Sequence, residues 1–169
     1  EVWDPATGTW SHGGAPADAR QGGQSLTLLP DGRVLVIGGQ TGKLNVDAFL
    51  PPLRSAVLWD PATSSFSDSG SMSFGRERHT ATLLVDGRIL VVGGVGGRAR
   101  DFSDTAIPDT EVWDPATASF TSGGRAAVGR ALHTATLLQD GRVLITGGFE
   151  RAEKAEVVSD LPSAEIWDP

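Results

Sequence analysis

The 169 residues include no cysteine, no tyrosine and a single methionine. Without cysteine the chain has no disulfide framework, no thiol nucleophile and no thiolate to hold a metal, and its redox compartment is left open. Basic residues are scarce as well, 14 Lys and Arg against 21 Asp and Glu, for a net charge of −7. That balance argues against nucleic acid as a partner, because phosphate-tracking surfaces gather lysine and arginine on one face. Long apolar runs are missing too. The longest, such as Val34 to Ile37 and Ile89 to Val92, are strand-sized, far below the roughly 20 residues of a spanning helix. No signal peptide opens the chain. It begins inside a motif, at Glu1-Val2-Trp3-Asp4-Pro5, which reads as a cut or a mature end.

What the chain has instead is repetition. Residues 130 to 148 read RALHTATLLQDGRVLITGG, residues 76 to 94 read RERHTATLLVDGRILVVGG, and a third copy, QSLTLLPDGRVLVIGG, runs from Gln24 to Gly39. Each is a β-hairpin in sequence form. Two β-rich runs flank an Asp-Gly pair, the dipeptide suited to the positive φ angles of a type I′ turn. A glycine pair ends each second run, where the backbone turns sharply and lies close to a neighbour. The turn aspartates Asp31, Asp86 and Asp140 stand 55 and 54 residues apart.

A second phrase, WDPAT, starts at Trp3, Trp59 and Trp113 and recurs as Trp167-Asp168-Pro169. Asp-Pro suits the first positions of a type I turn, so the phrase marks a strand end and a tight turn. Seven residues after each full copy comes another aromatic, Trp10, Phe66 or Phe120. One repeat is therefore four strands, a to d. Strand b is apolar at successive positions, which implies burial on both faces, as happens when sheets stack as the blades of a propeller. No helix is convincingly encoded: the best candidate, Phe149 to Val158, lacks a cap and reads as a loop with at most one helical turn.

This order of features resembles the kelch repeat. Gly38-Gly39, Gly93-Gly94 and Gly147-Gly148 match its double glycine, Trp59, Trp113 and Trp167 its first aromatic, and an arginine precedes strand a. In the first copy Arg20-Gln21 stands where the others have Arg76 and Arg130. The wording looks like the bacterial branch that also resembles the central domain of galactose oxidase. The resemblance implies an all-β, kelch-type propeller segment of about three four-stranded antiparallel blades, and it favours an extracellular or periplasmic protein. The repeat divides the chain into outer strands c and d of an incomplete blade (1–20), two blades (21–75 and 76–129), and strands a, b and c of a last blade (130–169).

Catalytic chemistry finds few candidates. His79 and His133 repeat at the start of strand a, but the third copy offers only Gln24, and a zinc site needs three or four converging ligands. Hydrogen bonding between blades is the simpler role. No serine sits in a G-x-S-x-G elbow. Gly39 to Leu44 fails as a phosphate loop for want of a following Ser or Thr and a helix. Asp60, Asp114, Arg33, Arg88 and Arg142 recur at turn positions and read as scaffold.

The segments that vary are the b-to-c loops, which antiparallel order places on the same face as the d-to-a loops. The expectation is a non-catalytic module without cofactor or metal, binding a protein or carbohydrate through that face, with Arg76, Arg78, Arg98, Arg100, Asp101, Asp104 and Arg130 as ligand contacts. A spacer or assembly module with no ligand is a further reading. The resemblance to galactose oxidase supplies an alternative, a fragment of a galactose oxidase- or glyoxal oxidase-like copper-radical oxidase. Its copper centre, with two tyrosines, two histidines and a tyrosine–cysteine crosslink, would lie outside this chain. The chain starts with strands c and d and ends with a, b and c, so a head-to-tail homodimer, or further blades of a longer chain, are the expected partners.

Overall fold

The structure is a computed structural model that describes residues 1–41, 52–97, 105–150 and 159–169. All regular elements described are strands, arranged by the repeat. The first sheet holds only β1 (Val2–Asp4) and β2 (Thr9–Ser11). The second has β3 (Ser25–Leu28), β4 (Val34–Ile37), β5 (Ser55–Asp60) and β6 (Ser65–Ser71) in sequence order, all antiparallel. A short strand, β7 (Gly75–Glu77), leads to the third sheet: β8 (Thr80–Leu83), β9 (Ile89–Val92), β11 (Asp109–Asp114) and β12 (Ser119–Arg125). Between β9 and β11 lies β10 (Val95–Gly97), which pairs with β7. The last sheet has β13 (Thr134–Leu137), β14 (Val143–Thr146) and β17 (Ala164–Trp167), with the small pair β15 (Phe149–Glu150) and β16 (Ser159–Asp160) beside it. Of the stretch from Phe149 to Val158, residues 151–158 lie outside the described residues and the rest is strand β15.

The hairpin turns differ from expectation. Only the glycine of each Asp-Gly pair has positive φ (Gly32, Gly87 and Gly141, at 88°, 87° and 89°). Gly32 N–H donates to the Leu29 carbonyl and Leu29 N–H to the Arg33 carbonyl. This is a three-residue loop, a type I turn closed by a glycine bulge, rather than the two-residue type I′ turn. The aspartate takes another role: Asp31 accepts from the Arg33 backbone N–H at 3.0 Å and pairs with its guanidinium at 2.7 Å, and Asp86 and Asp140 do the same.

Burial on both faces holds where a sheet has two neighbours. Leu35, Ile37 and Leu58 of the second sheet meet Ile89, Val91 and Trp113 of the third. Leu90, Val92 and Val112, on the other side of the third sheet, meet Val143, Ile145 and Trp167 of the last. Strand β9 is thus buried at all four positions, whereas β14, with a neighbour on one side only, alternates. In the three later sheets the strand-c tryptophan donates its indole N–H backwards to a carbonyl of the preceding sheet's last strand or its end: Trp59 to Gly13, Trp113 to Ser69 and Trp167 to Gly123, at 2.8 to 3.0 Å.

The double glycines seat the next sheet's backbone. Gly93 has φ of 64°, and a Cβ there would run into the Arg130 carbonyl and the His133 ring. Gly147 has nearly the same φ, 68°, but nothing within 4 Å of a Cβ. Gly93→Ala is therefore expected to cost the left-handed penalty of roughly 1–2 kcal/mol plus a backbone clash. Gly147→Ala is expected to cost the first part alone. Urea midpoints at low chain concentration measure the difference.

Candidate functional site

The loop-bearing end of the sheets is tied together by main-chain pairing. Strand β7, from a d-to-a connection, pairs with β10 at the start of a b-to-c loop, Gly22–Gln40 and Ala131–Phe149 bridge in the same way, and Gln40–Pro52 and Val95–Ala106 join the two ends of a single b-to-c loop. Both loop types therefore emerge at one end, and the turn arginines Arg33, Arg88 and Arg142 lie at the other.

Beneath the loops sits a repeated arginine clamp. Arg76 is fully buried, and its guanidinium donates to the carbonyls of Gly93 and Asp109, both at 3.0 Å, and to the Glu111 carboxylate at 2.7 Å. The second oxygen of Glu111 accepts the Ser73 backbone N–H. Arg130 repeats the arrangement on Gly147, Ser163 and Glu165. The sequence alignment puts Gln21 at the matching place in the first copy, yet Arg20, one residue earlier, does the work, donating to the carbonyls of Gly38 and Ser55. It has no glutamate partner, because Val57 stands where the others have Glu111 and Glu165; the Ser55 hydroxyl and the nearby Asp18 take that place. Burial pulls the Arg76 guanidinium below its usual range, opposed by Glu111. At Glu165 burial pushes upward, but the Ala127 N–H and Arg130 outweigh it and hold the carboxyl low.

Of the residues expected to contact a ligand, Arg76 and Arg130 are thus buried and engaged by their own scaffold, which corrects the placement of their side chains on the loop surface. Arg78 is on the surface, its side chain 48% exposed and 3.6 Å from Glu77. Arg98, Arg100, Asp101 and Asp104 lie outside the described residues.

A row of left-handed residues was not foreseen. Gly23, Arg78 and Leu132 have φ of 71°, 58° and 54°. Arg78 N–H donates to the Gly23 carbonyl at 2.8 Å and Leu132 N–H to the Arg78 carbonyl at 3.1 Å, so the row runs across the second, third and last sheets. A non-glycine residue held left-handed is strained, and the one signal in the sequence was its place before the repeated histidine.

The histidines themselves bond between sheets. His79 Nε2 lies 2.8 Å from the Ser25 hydroxyl, and His133 Nε2 lies 2.9 Å from that of Thr80. Burial first, then the charges of Arg76 and His133, pushes His79 down to about 3; burial and Arg130 push His133 down to about 4. Both are neutral at physiological pH. Among the described residues no three His, Cys, Asp or Glu side chains come together as a metal would require.

No family profile matches the chain. Two galactose oxidases of Gibberella zeae, one from strain PH-1, are 30% identical to it over 143 residues, which is 82% of this chain and 21% of each oxidase. A solved structure described as a novel fungal alcohol oxidase of the AA5 family, in complex with copper, superposes with a TM-score of 0.70 at 21% identity, over 90% of this chain and 32% of that one. The chain spans about a fifth of the curated relatives it matches. These matches overturn the reading of the chain as a non-enzyme, since the proteins it resembles are oxidases. They also lend nothing to a bacterial origin, because the relatives are fungal. The chain has a galactose oxidase-like all-β fold.

Proposed function

We propose that the chain is a kelch-type β-propeller section of a galactose oxidase-like copper-radical oxidase, with the sheets as blades bounded at 1–20, 21–75, 76–129 and 130–169. The observation that carries this reading is the 30% identity to galactose oxidase running through 82% of the chain, joined to a fold match over 90% of it. The copper centre does not fit the residues present. The chain has no tyrosine or cysteine, and the Nε2 atoms of both buried histidines already hold hydroxyl partners. Copper, tyrosine and cysteine are supplied by sequence outside the chain. The section's contribution is rigidity: clamps and main-chain pairing fix the loop-bearing end, and tryptophan bonds and stacked sheets hold the sheets beneath it, so that this end would contact a polar substrate through Arg78 and, beyond the described residues, Arg98, Arg100, Asp101 and Asp104.

The test extends the reading frame on both sides of the chain and assays copper content and peroxide release from galactose and other primary alcohols. The expected result is bound copper and peroxide formation, with Arg78→Ala raising KM about ten-fold or less, the size of one charged contact. An extended protein that binds no copper and releases no peroxide from any alcohol would sink the reading.

A further inference from the structure

The aspartates of the tight turns fall into two sets. Asp31, Asp86 and Asp140 are each followed by glycine, and Asp4, Asp60 and Asp114 by proline. Both sets close their turns in one way, a carboxylate oxygen accepting the backbone N–H two residues on, at 2.8 to 3.1 Å. In the Asp-Pro turns that residue is an alanine, Ala6, Ala62 or Ala116. In the Asp-Gly turns it is an arginine, whose Nε donates to the second carboxylate oxygen at 2.8, 2.6 and 2.9 Å. The alanines show that closing such a turn does not need a guanidinium. Stability explains it no better: both side chains of each pair are 38 to 50% exposed, and an exposed ion pair contributes little.

What separates the two sets chemically is the nitrogen that follows the aspartate. Asp-Gly is the pair most open to isomerisation, because glycine has no side chain to shield its nitrogen from the neighbouring carboxyl. For Asp86, the Gly87 nitrogen would bond to the side-chain carboxyl carbon, and water would leave, made of the carboxyl hydroxyl and the amide proton. Hydrolysis of the cyclic imide at its main-chain carbonyl returns the water and leaves the chain running through the Asp86 side chain, one methylene longer. Proline has no amide proton to lose, so Asp4, Asp60 and Asp114 stand outside this reaction. At Asp86 the extra methylene would fall between Leu84 and Ile89, which are buried, in the loop that sets the pairing of Leu83 with Ile89.

We propose that Arg33, Arg88 and Arg142 guard the three Asp-Gly bonds against this isomerisation. The reaction requires a protonated carboxyl, free to swing its carbon onto the glycine nitrogen. Here both oxygens are held by the arginine two residues on, one by its backbone N–H and one by its guanidinium. At Asp31 and Asp140 the guanidinium is the main cause that holds the carboxyl below its usual range; at Asp86 burial pushes upward, but the Arg88 N–H and guanidinium outweigh it. The attacking nitrogen is engaged as well, since the N–H groups of Gly32, Gly87 and Gly141 donate to the carbonyls of Leu29, Leu84 and Leu138 at 3.0 to 3.1 Å. This role sets how long the hairpins last and is independent of the chemistry at the loop-bearing end.

The test ages the folded protein at neutral pH and maps isoaspartate to each turn by mass spectrometry of its peptides. In the unaltered protein all three sites are expected to isomerise several-fold more slowly folded than in denaturant. Arg88→Met is expected to speed Asp86 several-fold while Asp31 and Asp140 of the same molecules keep their rates, with tryptophan fluorescence as the check that the variant is folded. Pro115→Gly leaves every arginine in place and gives Asp114 a glycine neighbour; Asp114 is expected to isomerise several-fold faster than Asp86. Equal rates at Asp86 with and without Arg88 overturn the proposal. So does an Asp114 that lasts as long as the guarded three in the Pro115→Gly chain, or an unaltered protein whose turns age as fast folded as unfolded.

Discussion

Replacing Glu111 with alanine is expected to cost about 3 to 5 kcal/mol, the loss typical when one partner of a buried ion pair is removed. Arg76 is 0% exposed and Glu111 4% on their side chains, so water cannot reach the guanidinium left behind. The Ser73 backbone N–H, which donates to the same carboxylate, loses its partner too. Against a domain stability of roughly 5 to 15 kcal/mol, this is a third or more of the total. A urea titration followed by tryptophan fluorescence measures it. Replacing both residues with apolar ones of similar volume, Arg76→Met with Glu111→Leu, is expected to recover part of the loss, because it removes the unpaired charge but still takes the partners from the Ser73 N–H and from the Gly93 and Asp109 carbonyls. The Arg130–Glu165 pair gives the comparison. Glu165 is 23% exposed, so Glu165→Ala is expected to cost visibly less. A loss from Glu111→Ala within 1 kcal/mol of that from an exposed carboxylate would show that the clamp does not carry the fold.

Stability is expected to fall steeply between about pH 6.5 and pH 4, and the two buried histidines are the cause. An unfolded histidine takes up a proton near pH 6.5, while His79 and His133 in the fold resist protonation down to about 3 and about 4. Between those limits the unfolded state binds more protons, so stability rises with pH and is fully present above about 6.5. As pH falls through the window, each histidine withdraws up to about 1.4 kcal/mol per pH unit. The replacement to make is already present in the first repeat, where Gln24 occupies the histidine place. His79→Gln with His133→Gln is expected to flatten the pH dependence of the urea midpoint over this range. An unchanged slope would place the acid sensitivity in the carboxylates, several of which are also held low by their partners.

The strands and their order could be read from the chain because three copies of one pattern cross-check each other. A run such as Ile89 to Val92, apolar at every position and closed by two glycines, admits little besides a strand covered on both faces. The turn type could not be read in the same way. Asp-Gly is compatible with both hairpin loops, and the choice rests on whether the residues before it, such as Leu29 and Pro30, join the turn. The clamp was hidden for a different reason. An arginine before a strand looks like a surface charge until a partner 35 residues away is known, and Glu111 and Glu165 carry no local sign of facing inward. Arg20 was harder still, since it reaches the same carbonyls from a position shifted by one residue. The left-handed row leaves even less trace: Arg78 and Leu132 are ordinary residues, and their backbone is set by the neighbouring sheet.

That row is built from main-chain atoms alone, N–H to carbonyl from Leu132 to Arg78 to Gly23. Its geometry therefore makes no demand on the identity of the side chain, and the three repeats bear glycine, arginine and leucine there. The side chain of Leu132 stays largely in solvent and that of Arg78 about half so, beside Glu77, each directly before a histidine anchored between two sheets. Such positions separate chemistry from architecture: a side chain can be exchanged by a single codon change, at a backbone cost of roughly 1–2 kcal/mol that the fold already bears, while its point of attachment stays where the scaffold holds it. In evolutionary terms the row is a series of interchangeable mounts, one per repeat, on which new specificity can be tried without redesigning the core.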